Sequence, residues 1–240
     1  MEQSKPIALW AVPRSISTAF ERVFVERGDF KVFHEPFSAS YYCSTERRSD
    51  RFAGEEPKAD YGYAEVLARI LSPSEEPVFF KDMAYHAAGL LSRGFAARFT
   101  NTFIIRDPRS VLASLYKFWP DFTLEEASYE HLHHLFQCAT GEGQKAVVVD
   151  ATDFLNNPER VVEAYCEALG IPFVPEALSW EAREVPEWQI WGEWHEEAEK
   201  STGIKRQRVE EEADIPEDLE EAYSRCRPYY EALHAERLRA

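Results

Sequence analysis

The chain is short of positive charge, of paired cysteines, of long apolar runs and, at one telling point, of glycine. It has 27 lysines and arginines against 43 aspartates and glutamates over 240 residues, a formal net charge of −16. That balance argues against a nucleic-acid partner, which needs a basic face to displace counterions. It leaves room for a small anion in a local basic pocket. The four cysteines, Cys43, Cys138, Cys166 and Cys226, are scattered and form no CxxC pair. This suits reduced thiols in a cytoplasmic protein better than a disulfide framework or a zinc site, and no metal site is expected. No apolar run approaches the ~20 residues that cross a bilayer. The first apolar run breaks at Pro13-Arg14, so neither a membrane span nor a signal peptide is expected. The glycine is missing from Pro13-Arg14-Ser15-Ile16-Ser17-Thr18, which joins an apolar strand to an amphipathic helix. A GxxxxGK[ST] loop, with its lysine for the γ-phosphate and its hydroxyl for the metal, is therefore absent.

What is present is an ordinary globular composition, 45% hydrophobic and 14% aromatic, enough for one sizeable core. Strands are expected at 7–12, 30–34, 78–81, 102–106 and 146–150. They are apolar throughout rather than alternating, as in a parallel sheet covered on both faces. Helices are expected at 15–28, 64–71, 86–98, 108–117, 124–140 and 158–169. Strand–helix alternation gives an α/β layered fold with a five-stranded, mainly parallel sheet. Residues 1–240 form one domain in this reading, with a core to about 173 and an acidic, helical C-terminal extension over about 174–240. Trp188, Trp191 and Trp194 read as packing within that extension. The polar stretch 44–60 is the best candidate for a mobile loop or lid.

Ligands of such sheets bind beyond the carboxyl ends of the strands. There the helix that follows Pro13–Thr18 offers unpaired amides and a partial positive charge. Ser15, Ser17 and Thr18 add hydroxyls and Arg14 adds a guanidinium fork suited to an oxyanion; the plain alternative is a turn capped by Ser15. The fourth strand ends at Arg106. Asp107-Pro108 starts the next helix, which carries Ser110 and Ser114 on one face. Arg106 and Ser114 are placed to clamp a second phosphate.

These paired segments resemble sulfotransferases that use 3′-phosphoadenosine 5′-phosphosulfate (PAPS), most closely bacterial-type members with a PRSxST loop, often written PRSGST. The resemblance implies a P-loop-like three-layer fold, with Arg14, Ser15, Ser17 and Thr18 around the 5′-phosphosulfate. It places Arg106 and, eight residues on, Ser114 at the 3′-phosphate. The stretch Val147–Phe173, "VVVDATDFLNNPERVVEAYCEALGIPF", resembles a further family segment. Three features depart from the cytosolic members. Arg14 replaces a loop lysine, Met83 occupies the place of the KTHLP histidine, and the C-terminal glycine- and lysine-rich signature is missing. "KSTGIKRQR", with Lys200, Lys205, Arg206 and Arg208, is its nearest counterpart and reads either as a cofactor flap or as helix-end charge, with Gly203 as a helix C-cap.

Sulfuryl transfer needs a cation at the leaving oxygens, for which Lys81 and Arg14 are the candidates, and a base for the acceptor hydroxyl. Glu35 is favoured as the base by the resemblance. His86 and His34 are the alternatives, and Asp82 is placed to orient Lys81 or His86. The implied function is transfer from PAPS to a hydroxyl, less readily an amine, of a small-molecule acceptor, releasing 3′-phosphoadenosine 5′-phosphate (PAP). Two rivals stand beside it: a P-loop-type kinase using ATP and magnesium, and an inactive PAPS- or PAP-binding protein. Acceptor contacts are expected from 37–63 and 117–135, with Tyr41, Tyr42, Tyr61, Tyr63, Trp119 and Phe122 as aromatic candidates.

Overall fold

The computed structural model describes residues 4–54, 56–141, 145–186, 188, 196–204 and 215–240. Five strands, β1 (Ile7–Ala11), β2 (Lys31–His34), β3 (Val78–Met83), β4 (Thr100–Ile105) and β5 (Val147–Asp150), form one sheet in the order β2-β3-β1-β4-β5. All four pairings are parallel, and Leu9 at the centre sits beside Lys81 on one side and Thr102 on the other. Ten α-helices are described: α1 (Ser17–Arg27), α2 (Ser38–Cys43), α3 (Tyr63–Ile70), α4 (Arg93–Ala96), α5 (Pro108–Phe118), α6 (Tyr129–Gly141), α7 (Ala151–Asn156), α8 (Pro158–Leu169), α9 (Glu196–Lys200) and α10 (Glu220–Ala235).

Alternation along β1 builds the three layers. Ala8, Trp10 and Val12 enter a core with residues of α3, α5, α6 and α10. Ile7, Leu9 and Ala11 enter a second core with Phe20, Val23 and Phe24 of α1 and Val161, Val162 and Tyr165 of α8. Both faces of the sheet are covered, which is why the strands carry no polar–apolar alternation.

Several local expectations are corrected. No continuous helix runs over 86–98: a 3-10 turn at Ala84–Ala87 is followed by α4, whose Ser92 cap accepts from the Phe95 amide at 3.2 Å. The helix expected from 124 begins at Tyr129, because Ser128 sits in the left-handed region at φ 70. Ser15 is not the cap of α1. Its hydroxyl donates back to the Val12 carbonyl at 2.6 Å, and the cap position belongs to Ile16, without a side-chain bond. Gly203 is not a C-cap either. It lies beyond α9 at φ 137, bridged to Ser179, and a Cβ there would meet the Leu178 carbonyl at 2.8 Å. Trp191, Trp194, Lys205, Arg206 and Arg208 lie outside the described residues.

The end of the chain returns to the sheet. Leu219, Cys226 and Leu233 join the core around β1 and β4, and the Leu238 amide donates to the Val148 carbonyl at 2.8 Å. Within the stretch 44–60, Arg51 is held against the segment that precedes α6. Arg51 forks onto Glu126 at 2.8 and 2.9 Å, reaches Asp121 at 3.0 Å, and lies 4.3 Å over the Trp119 ring. Among the described residues no helix is long and apolar enough to cross a membrane.

Candidate active site

A cleft of about 680 Å³ opens at the carboxyl ends of β1, β3 and β4, where ligands of parallel sheets bind. The loop between β1 and α1 forms one wall. Arg14 (φ 57) and Ile16 (φ 66) both adopt the left-handed conformation, at roughly 1–3 kcal/mol each for non-glycine residues. Ile16 stands where the PRSGST pattern has glycine. The loop thus takes a glycine-type winding without glycine, and such windings turn successive amides toward one point. Ile16, Ser17, Thr18 and Ala19 line the cleft. With no side chain capping α1, its first-turn amides keep their capacity for an anion.

Arg14 is held from behind. Its Nε donates to Ser114 Oγ at 2.9 Å and its guanidinium lies 4.5 Å over the Phe118 ring. Its carbonyl accepts from Arg106 Nη1 at 2.9 Å. Ser114 therefore supports Arg14, whereas Arg14 and Arg106 themselves face the cleft. Burial lowers the pKa of both guanidiniums, and for Arg14 the charge of Arg106 adds to the effect. Two repelling cations in one cleft favour an anionic ligand. Ser15, fully buried and bonded to Val12, does not present its side chain there.

The floor is built at the ends of β2 and β3. Lys81 is fully buried and its Nζ donates to Glu35 Oε1 at 2.5 Å. Glu35 follows β2 in the left-handed region at φ 41. It is fixed by its own amide on the Lys81 carbonyl at 2.7 Å and by Ser38, whose amide and hydroxyl donate to the Glu35 carbonyl at 3.0 and 2.6 Å. Asp82, the next residue of β3, accepts from the amides of Phe37 and Met83 and from His86 Nδ1, at 2.7, 2.8 and 2.7 Å. Burial raises the pKa of Asp82, and the bonds from His86 and Phe37 oppose that rise. A carboxylate only accepts, so it fixes the proton on Nδ1 and leaves the Nε2 lone pair outward. His86 Nε2 is buried, has no hydrogen-bond partner among the described residues, and His86 lines the cleft. Tyr42 and Tyr85, also on the cleft, surround that ring at 5.6 and 4.3 Å between centroids. Burial pushes both phenols far above their ordinary pKa.

A family model described as a sulfotransferase domain matches residues 5–237. The chain belongs to the sulfotransferase family. Two solved sulfotransferase domains share its fold. That of the Synechococcus PCC 7002 olefin synthase is 13% identical with a TM-score of 0.53, covering 96% of each chain. That of the curacin biosynthetic pathway is 12% identical with a TM-score of 0.50, covering 94% of this chain and 96% of its own. Two curated relatives from Arabidopsis thaliana, branched-chain-amino-acid aminotransferase-like proteins 2 and 1, are each 28% identical over 82% and 85% of this chain. The chain spans only 36% and 37% of their lengths.

The sequence pointed to the loop, to Arg106 and to the Glu35, Lys81 and His86 region, and the fold gathers Arg14, Ser17, Thr18, Arg106, Glu35 and His86 around one cleft. Lys81 lies behind Glu35. Residues not anticipated are Tyr85 on the cleft wall and Glu21, which lies behind it; Met83, at the place of the KTHLP histidine, also lines the cleft. Glu21 had a readable signal, since an acid next to Phe20 and Val23 interrupts the apolar face of α1. Of the basic C-terminal stretch, Lys200 lines the cleft, as do Ser201, Thr202 and Gly203.

Proposed function

We propose that the cleft moves the sulfuryl group of PAPS to a hydroxyl, less readily an amine, of a small acceptor and releases PAP. The observation that carries this reading is the convergence of the two anion segments: Arg14 and Arg106, far apart in sequence, are linked through the Arg14 carbonyl and face one cleft. Arg14 and the α1 amides hold the 5′-phosphosulfate end, and Arg106 holds the 3′-phosphate. The acceptor oxygen bonds to sulfur as the bond from sulfur to the phosphate oxygen breaks, with the electron pair leaving on the phosphate. The acceptor proton passes to His86 Nε2, and Asp82 steadies the imidazolium. Arg14 stabilises the departing oxygen, and Lys81, buried behind Glu35, adds its charge from there. His86 suits the base better than Glu35, because the Glu35 carboxylate is engaged by Lys81. Glu35 then serves to place the ammonium.

Melting in the presence of PAP, compared with ATP and magnesium, tests this directly. At one hundred times its dissociation constant a ligand adds about 2.7 kcal/mol of stability, a rise of roughly 5–10 °C for a chain of this size. PAP is expected to give that rise with or without EDTA, and ATP–magnesium to give little. The opposite pattern would replace this reading with the kinase one. PAP binding without turnover would leave an inactive PAP-binding protein. Turnover is conveniently read as exchange, in which a PAP 5′-phosphate oxygen takes the sulfuryl group from 4-nitrophenyl sulfate as the bond from sulfur to the phenolic oxygen breaks and 4-nitrophenolate leaves.

A second test isolates the 3′-phosphate. Arg106→Ala is expected to weaken PAP by roughly 10–150-fold, the value of a charge-assisted contact. Adenosine 5′-phosphosulfate, which lacks the 3′-phosphate, should bind almost as before. Equal losses for the two ligands would show that Arg106 acts only by bracing the Arg14 carbonyl.

A further inference from the structure

We infer that Arg51 is a positioning residue that sets acceptor specificity: with Glu126 it holds the aromatic wall beside His86 in a shape suited to a flat acceptor. This rests on the sulfuryl-transfer reading above. An acceptor that reaches His86 Nε2 meets the rings around it. Tyr85 and Tyr42 lie 4.3 and 5.6 Å from the His86 ring, and Trp119 packs edge-on against Tyr42 at 6.1 Å. All three line the cleft. One ion pair touches two of them. The Arg51 guanidinium lies 4.3 Å over the Trp119 ring. Its Nε and Nη2 donate to Glu126 Oε1 and Oε2 at 2.8 and 2.9 Å, and the Tyr42 hydroxyl donates to the same Oε1 at 3.3 Å. Neither Arg51 nor Glu126 lines the cleft.

Satisfying a buried carboxylate does not by itself call for this arrangement. Glu126 is 3% exposed, and the Thr123 amide and hydroxyl already offset part of its lost hydration, donating to Oε2 at 2.8 and 3.2 Å. A lysine would supply the missing charge as a point. Only a planar fork can grip both carboxylate oxygens in its plane and rest its face on an indole. The remaining arm, Nη1, reaches Asp121 at 3.0 and 3.2 Å, two residues past Trp119, and ties down the same segment. Trp119 needs such support, because it follows the last residue of α5 and is only half-buried. Phe118, just before it, lies under Arg14. An arginine thus holds each of the two rings at the end of this helix, Arg14 at the anion end of the cleft and Arg51 at the acceptor end. Against a wall so fixed, a flat ring makes stacked and edge contacts that a puckered ring of the same skeleton cannot match.

2-Naphthol and decahydro-2-naphthol carry a hydroxyl on the same fused-ring skeleton, flat in one and puckered in the other. Titration calorimetry of each against the PAP-loaded protein reads affinity at the acceptor end without requiring turnover. The parent is expected to prefer 2-naphthol by roughly 2–12-fold, the value of an aromatic contact beyond its area. Arg51→Lys keeps a cation for Glu126 but gives up the fork and the stacking face. It is expected to lose that preference with PAP affinity unchanged. Arg51→Ala/Glu126→Gln removes the pair without stranding a charge, and is expected to melt above Arg51→Ala yet show no more preference than it. A preference retained in Arg51→Lys, or one that returns with stability in the double variant, overturns the inference. So does a parent that binds neither alcohol or both alike. A fall in PAP affinity equal to the fall for 2-naphthol also overturns it, since Arg51 would then brace the cleft as a whole. Absence of PAP binding in the parent would defeat the sulfuryl-transfer reading itself, and this inference with it.

Discussion

His86→Asn is expected to slow forward transfer to an unactivated alcohol or phenol by on the order of 10²–10⁴-fold, the contribution of a positioned base. Asn can still donate to Asp82 from the place of Nδ1, so the loss falls on Nε2, the buried nitrogen with no partner among the described residues. PAP affinity should be unchanged, because the anion contacts lie on the loop and at Arg106. The exchange from 4-nitrophenyl sulfate should be slowed far less, because 4-nitrophenolate leaves readily without a proton. A large loss in the exchange as well would mean that His86 organises the cleft rather than moving a proton. Full forward activity would return the base to Glu35.

Lys81 should behave in the opposite way. Replacing it by Met removes its charge from behind the cleft in both directions of the reaction, with a loss of up to roughly 10²–10³-fold in each, the upper bound being the value of a group that meets developing charge directly. The substitution also strands Glu35. Breaking one half of a buried pair costs about 3–5 kcal/mol, or roughly 6–20 °C of melting temperature for a chain of this size. The double variant Lys81→Met/Glu35→Gln removes the uncompensated carboxylate and should regain most of the stability while staying slow. If turnover returned along with stability, the pair would be a structural feature and Arg14 the sole cation of the reaction.

The sheet was legible because its strands are covered on both faces, leaving five short apolar runs punctuated by polar helix starts. The Asp107-Pro108 start was legible for a local reason as well, since the Asp107 side chain accepts from the Arg109 amide at 2.7 Å. Local signals misled where a neighbouring residue intervened. Gly89 and the capping Ser92 divide 86–98, and the Val12 carbonyl takes the hydroxyl of Ser15. The Asp82–His86 contact spans four positions and could be weighed from the sequence. The Glu21–Trp188 contact joins residues 167 positions apart, and no periodicity or spacing encodes such a meeting. The support of Arg14 by Ser114 was hidden similarly: the two residues were read as serving different phosphates, and only the packing of α5 beside the loop brings them together.

The strand at the centre of the sheet is the first to be synthesised. Ile7 finds its neighbours in Phe79 and Thr100, and at roughly 5–20 residues per second the second of these leaves the ribosome on the order of 5–20 s later. During that interval β1, wholly buried in the finished molecule, lacks at least one of its two partner strands, and the contact of Leu238 on Val148 forms later still. The hazard for this protein thus falls during its production rather than in the completed fold. Growth temperature and chaperone supply should therefore change the yield of soluble chain more than they change the melting temperature of what is recovered.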